Sequence, residues 1–248
     1  MKENNKRRTV NWYVIPPAIL QFLITSVTRS LFFVFARWKV VGLKENVLSL
    51  KRPVIFAANH HSEIDVFLVP AALLFHFRHW PVFFITGGGK EFYNNFGWRN
   101  LIYGGLLFKA LGAYPTFKGQ KNYERSLLNH FQIVEDGYSI YIFPEGKRNG
   151  EVETENVRGG SAYLAYRFNI PVIPVAISGT YHTKPRQFFT FRRRIKLEFG
   201  RPIYPEEILP RSPQVTEDRN DFREAVKIIM SQINYPAAET AGYERSHA

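Results

Sequence analysis

Residues 53–65, which read PVIFAANHHSEID, join a run of apolar residues to a polar turn and then to a helical pattern. The apolar run 53–58 is short and rich in residues typical of strands, so it predicts a buried β-strand. Residues 64–77 follow with the spacing of a helix. Ligands of open α/β sheets bind where strands end, so we expect His60 at the ligand-binding edge of a sheet.

Strand and helix patterns alternate through the rest of the chain. Strands are predicted at residues 38–43, 53–58, 81–86, 113–116, 139–143, 172–178 and 195–199. Helices are predicted at residues 64–77, 98–111, 123–136, 160–168 and 215–234. This alternation predicts an α/β fold in which helices flank a mixed, largely parallel sheet. The 248 residues suit one such domain, expected at 38–234, followed by a flexible tail at 235–248.

The chain is strongly basic and has no cysteine. Lys and Arg number 33 and Asp and Glu 21, and the net charge of +12 indicates an anionic partner: nucleic acid, anionic lipid or a phosphorylated small molecule. No nucleic-acid-binding motif accompanies the basic clusters at 6–8 and 192–194, and 22 Phe suit a lipid surface. Membrane lipids are therefore predicted as partners and nucleic acid is not. Without cysteine, disulfides, thiol nucleophiles and thiolate metal sites are excluded.

Residues 1–37 form an N-terminal segment whose pattern predicts membrane anchoring. Its uncharged apolar run is interrupted by Pro16 and Pro17, so a helix is expected to begin there and to end near residue 36. Four polar residues of this helix share one face: Gln21, Thr25, Thr28 and Arg29. A narrow polar stripe beside a wide apolar face is typical of a helix that lies in the membrane interface. A spanning helix and a helix packed into the core are the two alternatives.

The polar turn holds a histidine and an aspartate at a spacing that allows contact. Asp65 lies five residues after His60, in the expected first helical turn, so its carboxylate can fold back to the imidazole. A carboxylate on one ring nitrogen fixes the tautomer, and the other nitrogen can then take a proton from a substrate hydroxyl. No Gly-x-Ser-x-Gly motif supplies a nucleophilic serine, so the pair suits direct attack by an alcohol. A structural histidine or a helix cap has the same spacing.

A second polar turn follows the predicted strand 139–143. Residues 143–148 read FPEGKR, and a Glu-Gly turn followed by two cations can direct backbone N–H groups and positive charge at a phosphate. An ordinary surface turn has a similar composition. His60 and His61 are adjacent and no third ligand is evident, so no metal site is predicted.

Together these segments resemble the glycerolipid acyltransferase family of the lysophosphatidic acid type. That family has a block with four residues between His and Asp, as between His60 and Asp65, and a Phe-Pro-Glu-Gly-Thr-Arg block similar to residues 143–148, with Lys147 in place of Thr. Two further blocks follow in the family's order, at residues 90–92 and 170–175. The resemblance covers roughly residues 38 to 200.

The resemblance implies transfer of a fatty acyl group from acyl-CoA or acyl carrier protein to the hydroxyl of a lysophospholipid, with 1-acyl-glycerol-3-phosphate as the expected acceptor. This is a step of phospholipid biosynthesis, and it needs no cofactor or metal. His60 is then the general base and Asp65 orients it. The expected location is membrane-associated, on the cytoplasmic face of the cell membrane.

The resemblance also implies how the acceptor headgroup is held. Its expected ligands are Glu145, Gly146, Arg148 and Lys118. The family has Asp-Arg where this chain has Phe117 and Lys118. Lysine keeps the positive charge but lacks the planar fork that grips a phosphate through two hydrogen bonds, so the acceptor could differ in detail.

Three other functions stay open at the level of sequence. One is acyl transfer to a different lipid alcohol, and another is hydrolysis of a lipid ester or thioester by water. The third is a non-catalytic basic module that binds membranes or nucleic acid, in which His60 and Glu145 are structural.

Overall fold

The computed structural model describes residues 11–86, 105–117, 120, 122–146, 157–181, 194–209 and 219–233 of the 248-residue chain. The described strands form one seven-stranded sheet. They are β1 (Lys39–Val41), β2 (Ile55–Ala58), β3 (Val82–Thr86), β4 (Ala113–Pro115), β5 (Ser139–Ile142), β6 (Val172–Ser178) and β7 (Lys196–Phe199). Their order across the sheet is β1-β7-β6-β2-β5-β3-β4.

Most neighbouring strands run parallel. The run β6-β2-β5-β3-β4 is parallel throughout, whereas β7 is antiparallel to β6 and parallel to β1. Every residue of the central strand β2 is buried. The carboxyl ends of β6, β2 and β5 therefore meet at one edge of the sheet. The prediction of a mixed, largely parallel sheet flanked by helices is confirmed.

The described α-helices are α1 (Ile15–Phe35), α2 (Asp65–Leu73), α3 (Gly105–Ala110), α4 (Tyr123–Ser126), α5 (Leu128–Glu135), α6 (Gly160–Phe168), α7 (Pro205–Ile208) and α8 (Arg219–Ser231). Short 3-10 turns lie at Trp12–Val14 and Phe77–His79, and a π-helical turn lies at Lys44–Leu48. Helix α1 begins with two prolines in its first turn, where their missing N–H groups cost no hydrogen bond.

Successive residues of the central strands point to opposite faces of the sheet, and each face carries its own apolar core. On one face, Phe56 and Tyr141 pack with buried residues of α1 and α2. On the other face, Ile55 and Ile140 pack with buried residues of α5, α6 and α8. The fold is therefore three-layered, which explains why the parallel strands are apolar on both faces.

Several predicted elements differ from the described ones in extent. The helix predicted at 64–77 ends at Leu73, and the helix predicted at 123–136 is broken at Leu127, whose backbone leaves the helical region while its side chain enters the core. The predicted helices at 98–111 and 215–234 are described at Gly105–Ala110 and Arg219–Ser231. The predicted tail at 235–248 lies outside the described residues.

Helix α1 docks on the domain through its polar stripe, and its apolar face points outward. The buried Gln21 side chain donates to the carbonyls of Val82 and Leu111, at 2.7 and 2.8 Å, and accepts from the Val82 N–H at 3.2 Å. Arg29 donates to the Ala71 carbonyl in α2 at 2.7 Å. The stripe predicted from the sequence therefore exists, and it faces protein.

Asn59 joins the ends of β2 and β6, and its loss is expected to destabilise the fold. Its buried amide donates to the Ile177 carbonyl at 2.9 Å and accepts from the Ile177 N–H at 2.7 Å. Asn59→Ala would leave both backbone groups unpaired, so the free energy of unfolding should fall by about 2–4 kcal/mol in denaturant titrations. Asn129→Ala is the control, because Asn129 makes one longer bond, 3.3 Å, to Pro115. Equal losses in the two variants would contradict this role.

The buried His130 of α5 predicts a pH-dependent stability. Burial lowers the pKa of His130 to about 4 from an ordinary 6.5. Between these two pH values the unfolded chain binds the proton and the folded chain does not. The stability contributed by the neutral, buried His130 is therefore complete above pH 6.5 and is lost as the pH falls toward 4. The free energy of unfolding is measured at pH 4 and at pH 6.5. Between these two values it should change less in His130→Gln than in the wild type, by up to about 3 kcal/mol. If the stabilities of the two proteins depend on pH in the same way, His130 is not the source of this pH dependence.

Candidate active site

Three segments meet at the carboxyl edge of the central strands. Residues 59–64 follow β2, residues 143–146 follow β5, and residues 179–181 follow β6. The described residues at this edge include both members of the predicted histidine–aspartate pair and part of the predicted phosphate-binding turn. The topology therefore brings together two motifs that are about 80 residues apart in the sequence.

The Asp65 carboxylate organises the loop after β2. Its Oδ2 accepts hydrogen bonds from the N–H groups of His61, at 2.6 Å, and Ser62, at 2.7 Å, and it lies 3.2 Å from His60 Nδ1. The side chain is fully buried, and Oδ1 has no hydrogen-bond partner within the described part of the chain. The sequence left open a catalytic pair or a structural cap, and the geometry has features of both, because one oxygen bonds the loop and contacts the imidazole.

The contact with Asp65 determines which nitrogen of the His60 ring carries the proton. An ionised carboxylate can only accept, so Nδ1 carries the proton and the Nε2 lone pair is left available. The His60 side chain is 17% exposed, so a small polar group can reach it although most of the ring is screened from water. The ring stacks on Phe143, with centroids 4.0 Å apart. The pair can therefore accept a proton at Nε2 and stabilise the resulting imidazolium through Asp65.

Glu145 reaches the same loop from β5. Its buried carboxylate accepts from the backbone N–H of His60, with Oε1 at 3.2 Å. Gly146 follows with φ near +68°, a backbone conformation that favours glycine, and its N–H donates to the Phe143 carbonyl at 3.0 Å. The structure thus brings both residues to the site. Their role as headgroup ligands stays a prediction.

Arg158 is a site residue that the sequence analysis missed. Its backbone N–H donates to the Pro144 carbonyl at 2.8 Å, and its side chain lies over Gly146. The guanidinium is exposed beside the turn, where it adds the planar fork that Lys118 lacks. The available signal was a basic residue directly before the Gly-Gly start of helix α6.

His61 faces a different neighbour from His60. Its ring packs edge-on against Tyr181 of the loop after β6, with centroids 5.8 Å apart. Burial lowers the pKa of His61, and His60 lowers it further, while Asp65 opposes the shift. His61 is therefore neutral at pH 7 and, with Tyr181, forms one side of the site.

Other predicted site residues lie outside the described residues. These are Lys118 and Arg148, together with Lys147, the block at 90–92 and the basic residues at 6–8, 192 and 193. Among the residues that the structure does describe, no group of three or more His, Asp or Glu side chains could hold a metal ion.

Comparison with known proteins gives three kinds of similarity. A family model described as acyltransferase matches residues 39–178, more than half of the chain. Curated relatives include 1-acyl-sn-glycerol-3-phosphate acyltransferases of Saccharomyces cerevisiae, 26% identical over 81% of this chain, and of Brassica napus (chloroplastic), 22% identical over 79%. The chain spans 62% and 52% of the length of these two relatives.

A solved structure shares the fold. It is the crystal structure of the 1-acyl-sn-glycerophosphate acyltransferase PlsC from Thermotoga maritima, which is similar to this chain with a TM-score of 0.56 and 21% identity. The similarity covers 89% of this chain and 80% of that one.

Proposed function

The chain belongs to the acyltransferase family, and we propose that it transfers a fatty acyl group from a thioester donor to the hydroxyl of a lysophospholipid. The observation that carries this proposal is the His60–Asp65 contact at the strand edge, beside the 143–146 turn over which the Arg158 side chain lies. The relatives are named for acylation of 1-acyl-sn-glycerol-3-phosphate, which supports this acceptor. The donor is acyl-CoA or acyl carrier protein.

The proposed reaction needs one base and no covalent enzyme intermediate. His60 Nε2 takes the proton of the acceptor hydroxyl as its oxygen attacks the thioester carbonyl carbon and forms the new C–O bond. When the tetrahedral intermediate breaks its C–S bond, the imidazolium returns the proton to the departing thiolate. Asp65 stabilises the imidazolium between these steps, and the unpaired, buried Oδ1 makes a nearby positive charge more favourable.

Cations around the 143–146 turn would hold the acceptor phosphate. Arg158 lies over Gly146, and Lys118 and Arg148 are the other proposed contacts. Glu145 is better suited to fixing the His60 backbone than to touching a phosphate, because its carboxylate is buried and negatively charged.

Replacing the proposed base should abolish most of the turnover. His60→Ala is expected to lower kcat by about 10²- to 10⁴-fold with acyl-CoA and lysophosphatidic acid, because proton transfer then falls to water. Asp65→Asn should also lower kcat steeply, because a neutral amide cannot stabilise the imidazolium as an ionised carboxylate does. The measurement is initial-rate kinetics with the lipid product identified by mass spectrometry.

His61→Ala is the matched control, because this neighbouring ring faces Tyr181 and the variant keeps the N–H that bonds Asp65. The kcat of His61→Ala should fall by less than about 10-fold. If His60→Ala keeps the wild-type rate, or if His61→Ala is the more damaging change, His60 is not the base. Thiol release that needs no acceptor alcohol would indicate an esterase instead.

The proposed substrates are lipids, and α1 offers a surface by which the enzyme would reach them. The segment Trp12–Phe35 is long and apolar enough to cross a membrane, which by itself is weak evidence for membrane association. Its large apolar side chains are nevertheless exposed along one face: Trp12, Ile19, Phe22, Leu23, Val27, Phe33 and Val34. We infer that this face enters the membrane interface, with Arg37 and Lys39 near lipid phosphates.

Docking of α1 favours an interfacial helix over a spanning one. Buried residues occur along the helix and at both of its ends: Val14, Gln21, Thr25, Phe32 and Ala36. A helix that crossed the bilayer would have to leave these contacts or draw the domain into the lipid. Membrane association on the cytoplasmic face is consistent with a cytosolic thioester donor.

Charges on the outward face of α1 should release the protein from lipid. Leu23 and Val27 are 56% and 61% exposed, so the double variant Leu23→Glu, Val27→Glu should fold normally. Its binding to phosphatidylcholine–phosphatidylglycerol vesicles in co-sedimentation should fall by at least about 10-fold, because burial of each apolar side chain is worth about 1.5–3 kcal/mol.

Ile228→Glu is the control for that experiment, because Ile228 is equally apolar and 45% exposed but lies on α8, in the opposite layer. It should leave vesicle binding unchanged. Unchanged binding of the α1 variant, or an equal loss in the control, would contradict the membrane-facing assignment.

A further inference from the structure

Three residues near the end of β5 and in the turn after it contact the histidine–aspartate pair or its loop. The buried Tyr141 hydroxyl donates to the Asp65 backbone carbonyl at 3.0 Å. Phe143 stacks on the His60 ring, and Glu145 accepts from the His60 N–H. The end of β5 and the turn that follows it therefore support both members of the pair.

The contact between Phe143 and His60 is the closest of the described ring pairs. The ring centroids are 4.0 Å apart, the planes are inclined by 19°, and the Tyr141 ring packs behind Phe143 at 4.8 Å. A stack of this kind restricts rotation of the imidazole about its side-chain bonds, while the Nδ1 contact with Asp65 restricts its tilt. Nε2 is thereby held in one direction.

We propose that Phe143 is a positioning residue that fixes the His60 ring plane and stabilises the imidazolium formed during acyl transfer. This inference rests on the proposed role of His60 as general base. The π face of Phe143 is electron-rich, so a positive charge on the stacked ring is favoured over the neutral ring. The benefit appears only after the proton has been taken, which is the condition for lowering the barrier.

Other charges around His60 do not replace this effect. Asp65 contacts Nδ1 from α2, and Glu145 bonds the His60 backbone from the β5 side. His61 is the adjacent titratable ring, and the Arg158 side chain lies over Gly146 in the turn. Each of these groups is unchanged by substitution at Phe143, so the contribution of the stack can be measured separately.

The kinetic test compares Phe143→Leu with the conservative Phe143→Tyr. Phe143→Leu should lower kcat by about 5- to 30-fold with little change in KM, and the acid limb of its kcat/KM profile should move to lower pH because the imidazolium is less stable. Phe143→Tyr keeps the stacked ring and should restore both the rate and the profile. Phe84→Leu is the control, because Phe84 packs on Tyr141 from β3 at 5.6 Å.

A second measurement does not depend on turnover. In 13C-histidine-labelled protein, the His60 ring signals should carry an upfield ring-current shift that disappears in Phe143→Leu and persists in Phe84→Leu, and the NMR titration midpoint of His60 should fall only in the former. Unchanged His60 signals and an unchanged midpoint in folded Phe143→Leu overturn the inference. If the wild type shows this shift and Phe143→Leu loses it, but the wild type has no acyltransferase activity, the stack is upheld and the proposed function is overturned.

Discussion

The Asp65 carboxylate is the group on which the site depends. A single oxygen accepts hydrogen bonds from two backbone N–H groups of the loop after β2 and contacts His60 Nδ1. Such a buried charge is tolerated only because these donors surround it. The loop conformation and the imidazole orientation are therefore set by the same interaction, and neither can change without exposing or stranding the carboxylate.

Strand β5 supports this arrangement from the neighbouring position in the sheet. Its face toward α2 carries Tyr141 and Phe143 into the apolar core, and the turn that follows carries Glu145 to the His60 backbone. The same turn ends at Gly146, beside the exposed Arg158. The proposed proton transfer and the proposed phosphate contacts thus lie at the two ends of one short segment, which would couple acceptor binding to the base.

The sequence predicted the sheet class and most element positions because both faces of the sheet are buried and leave apolar runs. The His60–Asp65 contact was also predictable, because only a short turn separates the residues. Arg158 was not, because its place depends on how the 143–146 turn meets α6. The sequence revealed a polar stripe on α1 but not its direction, since that stripe is satisfied by distant carbonyls of Val82, Leu111 and Ala71.

The central claim is that the His60 imidazole takes the proton of an incoming lipid hydroxyl. A crystal structure of the protein with lysophosphatidic acid and a non-transferable thioether analogue of acyl-CoA measures this geometry directly. The account predicts the acceptor hydroxyl oxygen about 2.6–3.2 Å from His60 Nε2, with the phosphate on the Arg158 side. A hydroxyl bound out of reach of Nε2, or placed against another base, would contradict it.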